Sequence, residues 1–416
     1  MIFLLYIIGI LLFVLSFYFG YIVMIPFVLA LSFLSLLLVD SKVFYFWLLS
    51  LLIAIRPITI DLFFWDDFIF GFKITHIYSF LLIALCFLAV FKLKVDLRSF
   101  NLWIIPVIFF LYHFAYFLNS LLNGNVYGSL EYFLRSAGGI PFFFAIGYIL
   151  DSEEKFIKFL KIILIPLLIL VFFSLIFSFY KIDELYMITG NQKQFWRLKL
   201  LYHDATQLVI YLTMAFIILC YLYIKERKFY YLLFIYLTLI PIYATQTRSA
   251  WISSLAVFLI FLIWIRKMHY LIPFIIFFIL NFNSILERWN YAGIEFDEEA
   301  GFSGRVGLWK IGLGFFLSYD PIYKIFGQVG NIIVKGDFHN QYISWLVYNG
   351  IFGLVFNSLV LVLLFIKSFS LTKNPMILMV YAWIMISGFL ANFLSMPNVV
   401  VFLWSILGYC LRNYSK

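Results

Sequence analysis

The sequence predicts an all-α fold, a polytopic bundle of about 12–14 transmembrane helices with one large outward loop that contains short helices. Three observations carry this: composition, the length of the apolar runs, and the confinement of basic residues to short connectors. Of 416 residues, 65% are hydrophobic and 12% charged, whereas soluble domains are roughly half apolar and about a quarter charged. The mean hydropathy is +1.06. Water-facing packing cannot hide this much apolar side chain, so the solvent is largely lipid. The 54 Phe and 29 Tyr suit lipid-facing surface and interfacial belts.

A span needs about 20 apolar residues. Runs of that kind lie near 2–19, 21–39, 43–56, 74–91, 102–121, 136–150, 159–179, 207–224, 229–245, 250–265, 270–281, 342–366, 377–393 and 398–411. The shorter ones are candidates for re-entrant segments, and the first three are separated only by Gly20 and by Asp40-Ser41-Lys42. The start at Ile2 lacks a basic stretch or an Ala-x-Ala site, so a retained first span is expected. Phe229 to Ile265 is too long for one helix across a core about 30 Å thick. It must turn at its polar cluster, Thr245-Gln-Thr-Arg-Ser249, which puts Arg248 at a membrane surface. The expected organisation is N-terminal spans over 1–281, a large loop over 282–341 and C-terminal spans over 342–416.

The formal charge of +9 would suggest nucleic acid in a soluble protein. No polybasic run with interleaved aromatics is present, so no nucleic acid is expected. The excess reads as membrane topology and contact with anionic membrane lipid. Lys92, Lys94 and Arg98 mark one side, as do Lys155, Lys158 and Lys161, then Lys225, Arg227 and Lys228, then Arg266 and Lys267, Lys367 and Lys373, and Arg412 and Lys416. These connectors alternate with a second set: the acidic 61–67 segment, the 180–206 loop, the Arg248 turn and the 282–340 loop. The positive-inside rule puts the first set in the cytoplasm, so both termini are cytoplasmic and the long loops face outward.

In the outward loop, Glu295, Asp297, Glu298 and Glu299 form a solvated acidic face. Ser303 is an expected N-cap for a helix through about Ser318, ended by Asp320-Pro321. Cys86, Cys220 and Cys410 each sit in an apolar run, and the five histidines are scattered, so neither a disulfide framework nor a metal site is expected. Three outward residues could carry chemistry. Arg248 sits at the rim of a helix pair, where an arginine needs a partner or a route to water; the competing reading is an interfacial anchor beside Trp251. Arg305, in Ser303-Gly-Arg-Val-Gly-Leu-Trp309, falls in a helical first turn, which suits a phosphate or is simply solvated. His339, in Asp337-Phe-His-Asn-Gln-Tyr342, is either a general base or a structural histidine.

Taken together, these segments resemble the O-antigen ligase and polymerase superfamily. The resemblance rests on Thr247-Arg-Ser-Ala-Trp251, Ser303-Gly-Arg-Val-Gly-Leu-Trp309, Pro321 with Phe326-Gly-Gln-Val-Gly330, and His339-Asn340 followed by Gly350-Ile-Phe-Gly353. Its detail covers 195–354, and the layout of spans around one late outer loop covers the rest. The resemblance implies a GT-C-like, metal-independent, inverting glycosyltransferase in the inner membrane with its active site facing the periplasm. The donor it implies is a glycan on undecaprenyl diphosphate, and the acceptor is lipid A–core or another glycan; no cofactor is implied. By motif, Arg248 and Arg305 would bind the diphosphate and His339 would act near the acceptor. Arg197, Arg135 and Asn340 are further candidates for substrate contact; for the two arginines a surface anchor is the competing reading. The His-Asn…Gly-x-x-Gly spacing favours a ligase over a polymerase joining repeat units. A transporter or flippase should place charges or broken helices at mid-membrane, and here the notable charges sit at outer rims.

Overall fold

This computed structural model describes residues 41–58, 68–69, 72–122, 126–180, 182–189, 195–202, 205–287, 305–327, 340–390 and 396–412. The spans expected at 2–19 and 21–39 lie outside them. The chain is an all-α polytopic membrane protein. Among the described residues, six helices are long and apolar enough to cross a membrane, and shorter apolar helices of 10–17 residues pack among them.

Helix α1 (Lys42–Ile55) starts where Ser41 accepts from the Phe44 N–H. α2 (Ile74–Lys92) and α3 (Ile104–Leu122) follow the expected spans. The expected span 136–150 appears as α5 (Ile140–Ile149), which has only 10 residues and follows α4 (Val126–Ser136). α6 (Glu153–Phe179) begins six residues before the apolar run, because Ser152 caps it and Glu153 and Glu154 favour the positive helix end. α7 (Ala205–Glu226) is buried at every side chain from Gln207 to Tyr223 and packs against α6, α8 (Phe229–Ala244), α9 (Arg248–Ile265) and α14 (Pro375–Leu390). A helix apolar all round belongs at the centre of a bundle. The turn between α8 and α9 falls at Thr245–Thr247, as the length argument requires. α10 (Leu271–Leu280), α11 (Arg305–Ser318), α12 (Pro321–Phe326), α13 (Gln341–Thr372) and α15 (Pro397–Leu411) complete the described helices. Two short hairpins were not expected: β1 (Phe68–Ile69) with β2 (Phe72–Lys73), and β3 (Tyr186–Thr189) with β4 (Phe195–Leu198) inside the 180–206 loop.

The basic connectors gather at one end of the bundle. Asp151 accepts from Lys42 at 2.5 Å and Lys155 at 2.9 Å; Glu226 pairs with Lys161 and Lys228, and Glu153 with Lys225. Arg412 donates to the Gly147 and Tyr148 carbonyls, and Lys42 lies 4.6 Å from the Tyr148 ring centre. Burial pushes the Asp151 carboxyl up, but the bonds from Lys155 and Lys42 outweigh it and hold the group below its ordinary value.

Candidate active site opposite the basic connectors

Hydrogen bonds fix which end each motif occupies. Asn374, just before α14, lies 3.5 Å from the Tyr221 hydroxyl near the C-terminal end of α7. Tyr270, just after α9, accepts from Tyr236 and lies 3.3 Å from the Tyr223 hydroxyl at that same end. α9 packs along α14. Arg248, at the start of α9, and Phe389, near the end of α14, therefore both lie at the opposite end, away from the basic connectors.

Phe389 is a junction. Trp309, one turn after Arg305 in α11, meets it edge-to-face at 5.8 Å. Asn340 donates from Nδ2 to the Phe389 carbonyl at 3.0 Å. Its Oδ1 accepts from the Tyr342 and Ile343 N–H groups at 2.9 and 3.1 Å, so Asn340 is the N-cap of α13. Both ends of the amide are engaged in structure, and the residue is 3% exposed. In this structure Asn340 holds the start of α13. His339 precedes this cap directly but lies outside the described residues. Arg305 opens α11, where first-turn N–H groups lack partners within the helix.

Arg248 is presented by a tightly held turn. Gln246 has φ +49°, and Thr247 is extended before the helix begins at Arg248. Arg197, on β4, donates from Nε to the Thr245 carbonyl at 3.2 Å and from Nη2 to Thr247 Oγ1 at 3.0 Å. It clamps the turn that carries Arg248. Arg135 forms an ion pair with Glu131, which also lies 3.9 Å from His76. Arg135 lines a cavity of about 40 Å³ together with Ser136, His113, Gln341 and Trp345.

That cavity corrects the expected span 342–366. Leu361 lines it as well as Gln341 and Trp345. Sixteen residues of straight helix would separate Trp345 from Leu361 by about 24 Å, so the first part of α13 folds back against the second. The break is at Gly350, with φ +68° and ψ −172°. A Cβ at Gly350 would stand 2.4 Å from the Ile325 carbonyl oxygen, and one at Gly327 would stand 2.2 Å from the Tyr348 carbonyl oxygen. The glycines of two separate motifs thus touch backbone to backbone. Gly350→Ala should lower stability by more than about 1 kcal/mol, since this region of φ/ψ admits essentially glycine alone. Gly314→Ala is the control: no atom lies within 4 Å of its Cβ site, and it should hold or raise stability. Thermal melting in detergent checks the pair, and equal melting temperatures would refute the break as a constraint.

Sequence reasoning missed the polar chain that braces this break. Asn349 Nδ2 donates to the Tyr132 hydroxyl at 2.6 Å, the hydroxyl lies 2.7 Å from His113 Nδ1, and His113 Nε2 lies 3.2 Å from Asn357 Oδ1. A neutral imidazole protonated on Nε2 satisfies every link. His113, Asn349 and Asn357 are at most 1% exposed. The signal was available, because an ionisable side chain in mid-span is costly unless it has such partners. Among the described residues no group of three or more His, Cys, Asp or Glu side chains could hold a metal ion.

No curated protein matches the chain. Residues 232–358 match a family model described as O-Antigen ligase. That stretch holds the Arg248 turn, α11, α12 and the Gly350 break, the elements gathered at the end opposite the basic connectors, and the match supports membership of the O-antigen ligase-related superfamily.

Proposed function

We propose that the protein is a GT-C-type membrane glycosyltransferase that moves a glycan from undecaprenyl diphosphate to an acceptor sugar, lipid A–core in the ligase reading, at the periplasmic face of the inner membrane. The observation that carries this is the junction at Phe389. It joins the Arg305 helix to the cap beside His339, on a helix packed along the one that begins at Arg248. In this reading the acceptor hydroxyl oxygen attacks the anomeric carbon as the bond to the diphosphate oxygen breaks, inverting the configuration. The hydroxyl proton passes to neutral His339. The electron pair leaves with undecaprenyl diphosphate, whose growing charge Arg248 and Arg305 stabilise. Arg197 and Asn340 act at one remove, by holding the Arg248 turn and the start of α13.

The test is reconstitution of purified protein in proteoliposomes with lipid-linked glycan and either lipid A–core or a second lipid-linked repeat unit as acceptor. Transfer to the core supports the ligase reading. Chain lengthening alone would make the protein a polymerase, and no transfer to either would end the proposal. Activity should persist in EDTA, because the sequence offers no outer carboxylate set with ligand spacing. Loss in EDTA with recovery in Mg²⁺ or Mn²⁺ would overturn the metal-free displacement.

A further inference from the structure

At the basic end of the bundle, α2, α3 and α5 enclose a cavity of about 390 Å³. Its walls include Val90 of α2, Val107 and Phe110 of α3, and Pro141 and Phe144 of α5. Phe87 and Phe91, on the α2 wall, are 38% and 77% exposed, so the cavity opens sideways to the surroundings of the bundle. In a membrane those surroundings are hydrocarbon, and an apolar recess of this size fills with lipid chain. One charged residue, Lys94, lines it.

The backbone explains why a lysine stands there. α2 ends with the Val95 N–H bonded to the Val90 carbonyl at 3.0 Å and the Lys94 N–H to the Phe91 carbonyl at 3.1 Å, with Lys94 at φ +49°. This left-handed closure ends the helix and brings Val95 and Leu97 back as the rim of the cavity. Lys92, Lys94 and Arg98 share the connector with one acid, Asp96, whose carboxylate caps the next turn by accepting from the Arg98 N–H at 3.0 Å. The connector is then tied to the basic end, where Phe100 bridges Arg412 and the Asn101 N–H donates to the Leu411 carbonyl. From Phe87 to its end at Lys92, α2 rises about 8 Å, within one leaflet's share of a ~30 Å core. An apolar slot one leaflet deep with a cation at its interfacial mouth has the shape and charge of a single anionic lipid.

We propose that this groove is a binding site for an anionic phospholipid of the basic-side leaflet, one acyl chain lying between α2, α3 and α5 and its phosphate held by Lys94. The site is separate from glycan transfer, and its test needs no enzymatic readout. The full-length protein in detergent is titrated with phosphatidylglycerol and with phosphatidylcholine of the same acyl chains, and retained lipids are counted by native mass spectrometry. One phosphatidylglycerol should be held in preference to phosphatidylcholine. Lys94→Gln should weaken it roughly fivefold, the worth of one basic side chain near an anionic surface. Val107→Phe, which fills the slot, should remove the preference while Lys94 remains, and Ile108→Phe, at an exposed neighbouring position on α3, should leave it intact. Equal retention of the two lipids, or unchanged phosphatidylglycerol affinity in Lys94→Gln, would overturn the assignment. Should Val107→Phe fail to fold, the Lys94→Gln titration decides alone.

Discussion

Arg305→Lys should lower the single-turnover rate of glycan transfer by roughly 10² to 10³, although it keeps the positive charge. The leaving diphosphate gathers negative charge as the anomeric bond breaks, and interactions that strengthen at that moment are the ones that accelerate the step. A guanidinium presents a planar fork that grips two phosphate oxygens at once, whereas an ammonium is a compact, strongly hydrated point charge. Losing one such aimed donor set costs about 2–4 kcal/mol. The place of Arg305 at the first residue of α11 adds to this, because unpaired first-turn N–H groups favour an anion there. The same substitution at Arg248 should behave alike, since that residue also opens a helix. The measurements are single-turnover rates and donor affinity for each variant, with folded yield as control. Near wild-type transfer by Arg305→Lys would show that charge alone suffices, or that Arg305 is a solvated residue with no part in donor binding.

The bundle itself was legible because lipid imposes simple rules. A run of 20 apolar residues is a span, and positive connectors share a side, and the ion pairs among Lys42, Asp151, Lys155, Glu226 and Lys161 bear out the gathering of those loops. The turn at Thr245–Thr247 followed from length alone. What hydropathy could not reveal were breaks inside apolar runs. Gly350 follows Asn349 inside a run whose length and hydropathy read as one span, and its left-handed backbone is set by Ile325 and Gly327, which lie more than twenty residues earlier. Only a long-range contact explains why no Cβ fits there.

At the site, the resemblance supplied the motifs but not the division of labour among polar neighbours. Asn340 and Arg197 carry the right chemistry for substrate, and the structure shows a second use that the sequence did not reveal: Asn340 caps α13 and Arg197 clamps the Arg248 turn. A side-chain amide beside a catalytic candidate reads the same in sequence whether it grips a sugar or a backbone. His113 was passed over among scattered histidines, because its partners Tyr132, Asn349 and Asn357 are distant in the chain or in its spacing.

His339→Ala should lower the single-turnover rate by about 10² to 10⁴ while leaving donor binding nearly intact, which is the loss expected when a positioned base is removed. The structure makes this prediction sharper than the motif does. The start of α13 is held by Asn340, so truncating His339 should leave the helix cap and the melting temperature unchanged. Asn340→Ala removes the cap and the tie to Phe389, and should lower stability by about 0.5–2 kcal/mol along with activity. The two variants therefore separate chemistry from placement: one loses rate with stability preserved, the other loses both. Donor affinity gives a second division. Arg305→Ala should weaken binding of the lipid-linked diphosphate, whereas His339→Ala should not, because the imidazole meets the acceptor's proton and not the phosphate. Equal loss of donor binding in both would remove this assignment of roles. Full activity of His339→Ala would abolish the base altogether, and the acceptor's proton would then have to leave to water or to a group on the substrate.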